Sequence, residues 1–245
     1  MSSERQELNV ISPWWGEHIH RYNEVINQLN GNEKILDIAC GTGFGSNLLA
    51  SKVKGSVIGG DLSSETIELC QNSWNAKNLS FQEMDGTQLK FEDNTFDVVV
   101  SFETIEHTTA FNEMISEFKR VTKKGGKIYI STPNKLINSP TGIVTNPFHT
   151  QEWYYDEFKE LIQHHFDNYQ LCGQKYVRYK NGGIAQKVES ILYKRGVRKI
   201  PIKIQDKIMN VFGQPTMYPT ELDYEMVSNS NEILECKTFF LIVVV

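Results

Sequence analysis

The chain of 245 residues has few cysteines, and none of them stands in a metal-binding pattern. The four are scattered, without a CxxC pair or the spacing of a zinc finger, and they are Cys40, Cys70, Cys172 and Cys236. This distribution excludes a disulfide framework and a cysteine-based structural metal site. It predicts reduced thiols in a cytoplasmic protein.

The chain also lacks a long apolar run. The longest, Phe239–Val245, is far shorter than the roughly 20 residues that a membrane-spanning helix needs, and it reads as a buried strand. The N-terminus lacks the basic and apolar pattern of a signal peptide. We therefore expect no transmembrane segment, although apolar residues between Ile184 and Ile204 leave a peripheral membrane contact open.

Basic residues are scarce outside one segment. Residues 1–174 carry 14 Lys and Arg against 23 Asp and Glu, whereas residues 175–207 carry 10 against 2, and residues 208–245 carry 1 against 5. The basic segment could hold a phosphate-bearing substrate or could be a solvated helical face. The net charge of −5 and the lack of an RNA-binding module argue against a nucleic-acid partner.

Apolar periodicity predicts alternating strands and helices. Seven strands are expected, at Lys34–Ala39, Ser56–Asp61, Leu79–Met84, Phe96–Ser101, Lys127–Ser131, Tyr169–Val177 and Thr238–Val245. Helices are expected at Pro13–Leu29, Ser46–Val53, Ser63–Trp74, Phe111–Val121 and Tyr155–Phe166. This order predicts an α/β fold with a doubly wound, mainly parallel sheet of seven strands.

One domain is expected over residues 1–245. It comprises an N-terminal helical cap (1–31), a cofactor-binding core (32–178), a helical insertion or lid (179–236) and the last strand (237–245). Tyr22 lies on the cap helix, where it could close over a bound cofactor. Residues 134–150 form a long loop without regular structure, which is more often functional than accidental.

The first strand ends in a glycine turn, Ala39-Cys40-Gly41-Thr42-Gly43, that precedes a helix. Glycines let a ligand approach the backbone, and the amides of the following helix face polar or anionic groups. Three acids lie near the carboxyl ends of the first three strands, at Asp37, Asp61 and Asp85. A pyrophosphate would be repelled there, whereas a cationic cofactor with a ribose and an adenine would fit.

These motifs resemble the class I S-adenosylmethionine-dependent methyltransferases, over about residues 15–178 and the last strand. The similar stretches are Leu36–Gly43, Asp61, Asp85-Gly86, Phe96–Val99 and the Gly-Gly-Lys turn before the fifth strand. The resemblance implies a Rossmann-like methyltransferase fold with S-adenosylmethionine as cofactor. Ala39 departs from the glycine that the family often has there.

By this resemblance, cofactor contacts fall on matching positions of the chain. Asp37, Ala39, Gly41 and Gly43 would hold the methionine end, Asp61 the ribose, Leu62 and Asp85-Gly86 the adenine, and Phe102 would line the floor near the sulfonium.

A second set of polar residues follows the fourth strand. Glu103, Glu106 and His107 would share one face of a helical turn, and His149 ends the long loop. Two carboxylates and two imidazoles suit Mg²⁺, Mn²⁺ or Zn²⁺. The set resembles that of the small-RNA 3′-terminal 2′-O-methyltransferases and of the O-methyltransferases of ubiquinone biosynthesis. Alternatively, His149 acts alone as a general base, with Glu106 near the cofactor and His107 packing against the helix.

The segment from Asn146 to Phe158 also resembles methyltransferases of bacterial polysaccharide and sugar pathways. Its aromatic residues could stack on sugars or belong to the core; they are Phe148, Trp153, Tyr154 and Tyr155. The leading hypothesis is O-methylation of a sugar or a small polyol, assisted by Mg²⁺ or Mn²⁺. The alternatives are a quinone, a catechol or an RNA end as acceptor, or a protein that binds S-adenosylmethionine without turnover.

Overall fold

The structure, a computed structural model, describes residues 14–177, 207 and 219–245. Its first half alternates strands and helices in the predicted order. These are α1 (Trp15–Ile26), β1 (Ile35–Ile38), α2 (Phe44–Ala50), β2 (Val57–Asp61), α3 (Ser64–Ser73), β3 (Leu79–Glu83), β4 (Phe96–Phe102), α4 (Phe111–Val121) and β5 (Thr122–Pro133). A single 3₁₀ turn, Ile105–His107, follows β4.

The second half adds shorter elements. These are α5 (Lys135–Asn138), α6 (Tyr155–His165), β6 (Tyr169–Tyr176), a 3₁₀ turn (Glu221–Asp223), β7 (Tyr224–Val227), α7 (Ser230–Leu234) and β8 (Thr238–Val244). All strands join one sheet in the order β3-β2-β1-β4-β5-β8-β6-β7. Strands β1 to β5 are parallel, whereas β8 is antiparallel to β5 and β6, and β7 is antiparallel to β6. The predicted mainly parallel α/β sheet is confirmed.

The sheet has eight strands, so the prediction of seven was wrong. The additional strand, β7, lies in the stretch expected to be an irregular part of the insertion. Its four residues are too few to show a periodicity, and they form a strand because they pair with β6, with Gly173 opposite Val227. Most of the predicted insertion, including most of its basic segment, lies outside the described residues, as do residues 1–13.

Two predicted boundaries also shift. The helix after the glycine turn begins at Phe44 rather than Ser46, because Gly43 itself is its N-cap. The predicted loop 134–150 begins with the short helix α5, because the Asn134 side chain accepts a hydrogen bond from the Leu136 amide. Ser63 caps α3, with its hydroxyl accepting from the Thr66 amide at 3.2 Å.

The core lies on both faces of the sheet. Helix α4 buries Met114, Ile115 and Phe118 on one face, and α1 and α2 bury Val25 and Leu49 on the other. The central strand β4 is almost entirely buried, as its continuous apolar run predicts for a parallel strand that is covered on both faces. Within the described residues, no helix is long and apolar enough to cross a bilayer.

The strand order reverses between β1 and β4, which places a crevice at their carboxyl ends. Two residues other than glycine adopt left-handed backbone conformations at this edge: Ala39, after β1, has φ +56° and Glu103, after β4, has φ +49°. Such conformations cost about 1–3 kcal/mol each and concentrate at functional sites. The backbone therefore supports the predicted position of the site.

Candidate active site

The glycine turn forms an open cradle at the end of β1. Gly41 and Gly43 have φ values of +54° and +74°, which glycine adopts without strain. A Cβ on Gly41 would meet no atom within 4 Å, so the space above its backbone is open to a ligand. A Cβ on Gly43 would lie 2.7 Å from the Phe81 ring, so this glycine is required by packing.

Asp61, at the end of β2, faces the same turn. Its carboxylate accepts hydrogen bonds from the amides of Gly41 at 3.2 Å and Ser63 at 3.0 Å. Leu62 beside it is 71% exposed, as expected for a side chain that would lie against a flat ring. An acid, an exposed apolar side chain and an open glycine backbone fit the ribose and adenine of S-adenosylmethionine.

Asp85 and Gly86 follow β3, next to β2 at the same edge of the sheet. Gly86 is buried, and the exposed Asp85 carboxylate accepts from the Thr87 amide at 2.8 Å and the Thr87 hydroxyl at 2.7 Å. The Met84 amide donates to the Asp61 carbonyl at 3.0 Å, which joins the ends of the two strands. The structure thus places Asp85 and Gly86 at the end of the strand next to the one that ends in Asp61.

Asp37 is buried beneath the cap helix α1. The Ser46 hydroxyl donates to its carboxylate at 2.6 Å, and the Tyr22 hydroxyl donates at 3.1 Å. Burial raises the pKa of Asp37 to about 7, partly offset by these two hydrogen bonds. Tyr22 therefore joins α1 to β1 through a hydrogen bond, and its closure over a bound cofactor stays a prediction.

Phe102, predicted to line the floor of the crevice, packs against Tyr22 and near the buried Arg21. The Phe102 ring lies 5.0 Å from that of Tyr22, and the Arg21 guanidinium carbon lies 5.9 Å from the Phe102 centroid. Arg21 donates to the Gln174 side chain at 2.8 Å and lies 3.8 Å from the Glu103 carboxylate. The sequence placed Arg21 only on an amphipathic helix, because its contacts to β6 and to the end of β4 are tertiary.

Three of the four predicted metal-ligating residues come together. One ligand atom each from Glu106, His107 and His149 lies within 4.8 Å of the others, and the two imidazole rings are 4.9 Å apart. Glu103 lies outside this trio, since its carboxylate accepts from the Ser131 hydroxyl at 2.7 Å and faces Arg21. The predicted set of four is therefore a set of three in the structure.

Glu106 is the buried member of the trio. One carboxylate oxygen accepts from the Thr132 hydroxyl at 3.0 Å, and the other has no hydrogen-bond partner in the described part of the chain. Burial, with the nearby Glu103 carboxylate, raises the pKa of Glu106 well above its usual range. Because a buried carboxylate is costly unless it is paired, this oxygen is a position at which a cation would be stabilised.

The loop that carries His149 is fastened to the other two members. The Thr150 amide and hydroxyl donate to the Glu106 carbonyl at 2.8 and 3.0 Å. Nδ1 of His107 lies 2.9 Å from the Phe148 carbonyl, so this nitrogen carries the proton and Nε2 carries the lone pair. These hydrogen bonds hold Thr150, and with it the neighbouring His149, beside Glu106, although Thr150 and Glu106 are 44 positions apart in the sequence.

His149 is held by two further side chains. Its Nδ1 lies 2.8 Å from a carboxylate oxygen of Glu152, and its Nε2 lies 2.9 Å from the Asn146 amide nitrogen. Neither Glu152 nor Asn146 was predicted to have a role. The only sequence signal was their spacing of three residues on either side of a histidine.

Of the four aromatic residues that could stack on sugars or belong to the core, three pack against protein. Trp153 lies 5.4 Å from Phe111, Tyr155 lies 6.2 Å from Phe239, and the Lys135 ammonium lies over Tyr154. Phe148 is 43% exposed beside the trio. A separate groove between α4 and α6 is lined in part by Trp153 and by none of the predicted cofactor-binding or metal-ligating residues.

Comparisons with known proteins identify the family of this chain. The family model described as a methyltransferase domain matches residues 29–210. The chain is 32% identical over 151 residues to a protein of Mycolicibacterium smegmatis described as a probable S-adenosylmethionine-dependent methyltransferase, covering 61% of this chain and 57% of that protein. It is also 32% identical over 112 residues to phthiotriol/phenolphthiotriol dimycocerosates methyltransferase 1 of Mycobacterium ulcerans, covering 45% and 41%.

Solved structures show the same fold. YcgJ of Bacillus subtilis superposes with a TM-score of 0.59 at 19% identity, covering 92% of this chain and 97% of that one. A SAM-dependent methyltransferase of Archaeoglobus fulgidus gives a TM-score of 0.59 at 16% identity, covering 93% of each chain.

This chain spans less than two thirds of the length of the curated relatives named above. Since the family model matches well over half of the chain, this protein belongs to the methyltransferase domain family, in the class I S-adenosylmethionine-dependent group.

Proposed function

We propose that this protein transfers the methyl group of S-adenosylmethionine to a hydroxyl of a sugar or a similar small polyol, with a divalent cation at Glu106, His107 and His149. The observation that carries the proposal is the trio itself, whose three ligand atoms lie within 4.8 Å at the carboxyl end of β4. A protein that only binds the cofactor has no need of such a set.

The residues that would contact the cofactor lie along the neighbouring strand ends. S-adenosylmethionine supplies an electrophilic methyl group on a sulfonium. Asp61 would accept hydrogen bonds from the ribose hydroxyls, and the open backbone of Gly41 admits the cofactor without a side-chain clash. Phe102 keeps water from the floor of the crevice, since only 7% of its surface is exposed.

The donor set of the trio indicates the kind of cation. One carboxylate and two imidazoles favour Mn²⁺, Zn²⁺ or Fe²⁺ over Mg²⁺, which prefers oxygen ligands. The oxygen of Glu106 without a partner and the lone pair of His107 Nε2 both fit a cation. A bound divalent cation would lower the pKa of a hydroxyl that it contacts. The three residues of the trio would hold this hydroxyl in line with the methyl group.

A specific observation favours a second candidate acceptor, an apolar molecule with a hydroxyl, such as a quinone precursor or a lipid. Four large apolar side chains of the 134–150 segment are 43–70% exposed, namely Leu136, Ile137, Ile143 and Phe148. The Mycobacterium ulcerans relative is named for phthiotriol and phenolphthiotriol dimycocerosates. If this surface contacts the acceptor, an apolar substituent will improve KM.

The test is transfer of labelled methyl groups to a panel of acceptors, with sugars and sugar nucleotides in one arm and catechols, quinols and lipid diols in the other. RNA ends form a third arm. Each arm is run with EDTA and again after Mn²⁺, Zn²⁺ or Mg²⁺ is restored. Transfer to a sugar that stops in EDTA and returns with Mn²⁺ supports the whole proposal.

The other outcomes test the cation, the acceptor and the transfer reaction of the proposal separately. Full transfer in EDTA contradicts the cation and leaves His149 as a general base. Transfer to the catechol, lipid or RNA arm alone contradicts the polyol acceptor. Cofactor binding without transfer to any acceptor, with or without metal, contradicts the enzymatic reading and favours a protein that only binds the cofactor.

A further inference from the structure

We propose that Glu152 is a positioning residue that fixes the tautomer and the ring orientation of His149, so that Nε2 is the nitrogen available to the reaction. The inference rests on the proposed function for the role of His149. It holds whether His149 binds a cation or accepts a proton, because both roles need the lone pair on a defined nitrogen.

The first support is the contact itself. Nδ1 of His149 and a carboxylate oxygen of Glu152 are 2.8 Å apart, within the range of a strong hydrogen bond. The two side chains are only 8% and 2% exposed, so water competes little for either partner. A carboxylate accepts hydrogen bonds and donates none, and the proton of a neutral imidazole is therefore placed on Nδ1.

The second support is that Glu152 is itself held rigidly. Its other carboxylate oxygen accepts from the Ser139 hydroxyl at 2.8 Å, and Ser139 is 1% exposed. The backbone beside it is tied to the end of β5, because Asn134 and Trp153 form an isolated bridge and the Lys135 amide donates to the Trp153 carbonyl at 2.9 Å. The Glu152 carboxylate is thus held in a fixed place relative to the end of β5, and it holds the His149 imidazole there in turn.

The third support comes from the opposite side of the ring. Asn146 accepts from the Phe148 amide through its oxygen at 3.1 Å, which assigns its nitrogen to the contact with Nε2 of His149. Because this nitrogen donates, Nε2 must accept, in agreement with a proton on Nδ1. A cation or a substrate hydroxyl at Nε2 would take the place of the Asn146 amide.

The experiment compares the full-length chain with Glu152→Leu, which removes the acceptor, and Glu152→Gln, which keeps a neutral one. Long-range proton–nitrogen NMR of the histidine rings reports the tautomer, and His149→Gln assigns the signals. Glu160→Gln, on the exposed face of α6, is the matched control. Thermal unfolding shows whether each variant folds.

We expect Nδ1–H in the wild type and in Glu160→Gln, and a mixture shifted toward Nε2–H in Glu152→Leu. Turnover should fall about 10–100-fold in Glu152→Leu, the usual cost of losing such a partner, with an intermediate loss in Glu152→Gln. If Glu152→Leu does not fold, Glu152→Gln and Ser139→Ala replace it in the experiment. Each of these variants should lower turnover and the population of the Nδ1–H tautomer.

The inference is overturned if the folded variants keep the Nδ1–H tautomer and turnover within twofold of the wild type. Its failure differs from failure of the proposed function, because the NMR measurement needs neither acceptor nor cofactor. A wild type that transfers no methyl group but whose tautomer responds to Glu152→Leu would retain the positioning role and contradict the reaction.

Discussion

The ends of β1 and β2 and the ends of β4 and β5 form two halves of one edge of the sheet, and they are built differently. In the first half, which we call the cofactor half, the Asp37 and Asp61 carboxylates each accept hydrogen bonds on both oxygens. In the second, the acceptor half, buried polar atoms remain without partners among the described residues, including Ser101 Oγ and Glu106 Oε1.

This difference follows from what each half has to bind. A ribose and an adenine can be held by polar groups that neighbouring residues already orient. A reaction centre needs polar groups that still lack a partner, so that the substrate or a cation can bind to them. The buried oxygen of Glu106 is therefore informative, because a buried polar atom without a partner is costly in the unliganded chain.

The largest expected effect is for Glu106→Gln. The variant keeps the shape of the side chain and its contact to Thr132 but loses the charge. Turnover should fall at least about 100-fold, more than for an outer-shell residue, whereas cofactor affinity should stay within about twofold. Methyl-transfer assays and calorimetric titration of the cofactor measure the two quantities, with Glu113→Gln on α4 as control. A matching loss of cofactor affinity would contradict the separation of the halves.

The next effect concerns pH and Asp37. Its pKa is about 7 in the folded chain against 3.8 as the ordinary value, so the folded state holds a proton that the unfolded state releases. The free energy of unfolding should therefore fall as the pH rises from about 4 to about 7, by up to about 1.4 kcal/mol per pH unit from this group. Asp37→Asn should flatten that slope in urea titrations. Identical slopes would exclude a raised pKa.

Gly45→Ala should loosen the cap from the cofactor half. A Cβ there would lie 1.9 Å from the Tyr22 ring, so α1 must shift. We expect a loss of about 1–3 kcal/mol of unfolding free energy, which outweighs the helix propensity gained. Gly86→Ala is the control, because its Cβ would meet a flexible Met114 side chain at 3.1 Å. Equal stability of the two variants would show that α1 does not depend on this contact.

The smallest effect is expected for Asp61→Asn. One acceptor oxygen remains, and the loss of charge should weaken cofactor binding about tenfold, or about 1.4 kcal/mol. Sensitivity of turnover to EDTA should not change, because the trio lies in the other half. Calorimetric titration tests this, with the exposed Glu65→Gln on α3 as control. Unchanged affinity would remove Asp61 from the cofactor contacts.

Much of the cofactor half could be predicted because its signals are local. The glycine turn and the acid at the end of each strand follow from positions within one strand–turn–helix unit, and parallel strands bring their carboxyl ends to one edge. The eighth strand could not be predicted, since Tyr224–Val227 is too short to carry a pattern and exists through its pairing with β6.

By itself, the sequence determined the order of strands and helices, the glycine cradle and the identity of the polar side chains, because periodicity and turn chemistry act over a few residues. Only the tertiary structure decided which of those side chains meet. It separated Glu103 from the trio, joined His149 to Glu106 across the long loop, and placed Glu152 behind the imidazole. These contacts depend on how the 134–153 segment packs on β4 and β5, which no local pattern encodes.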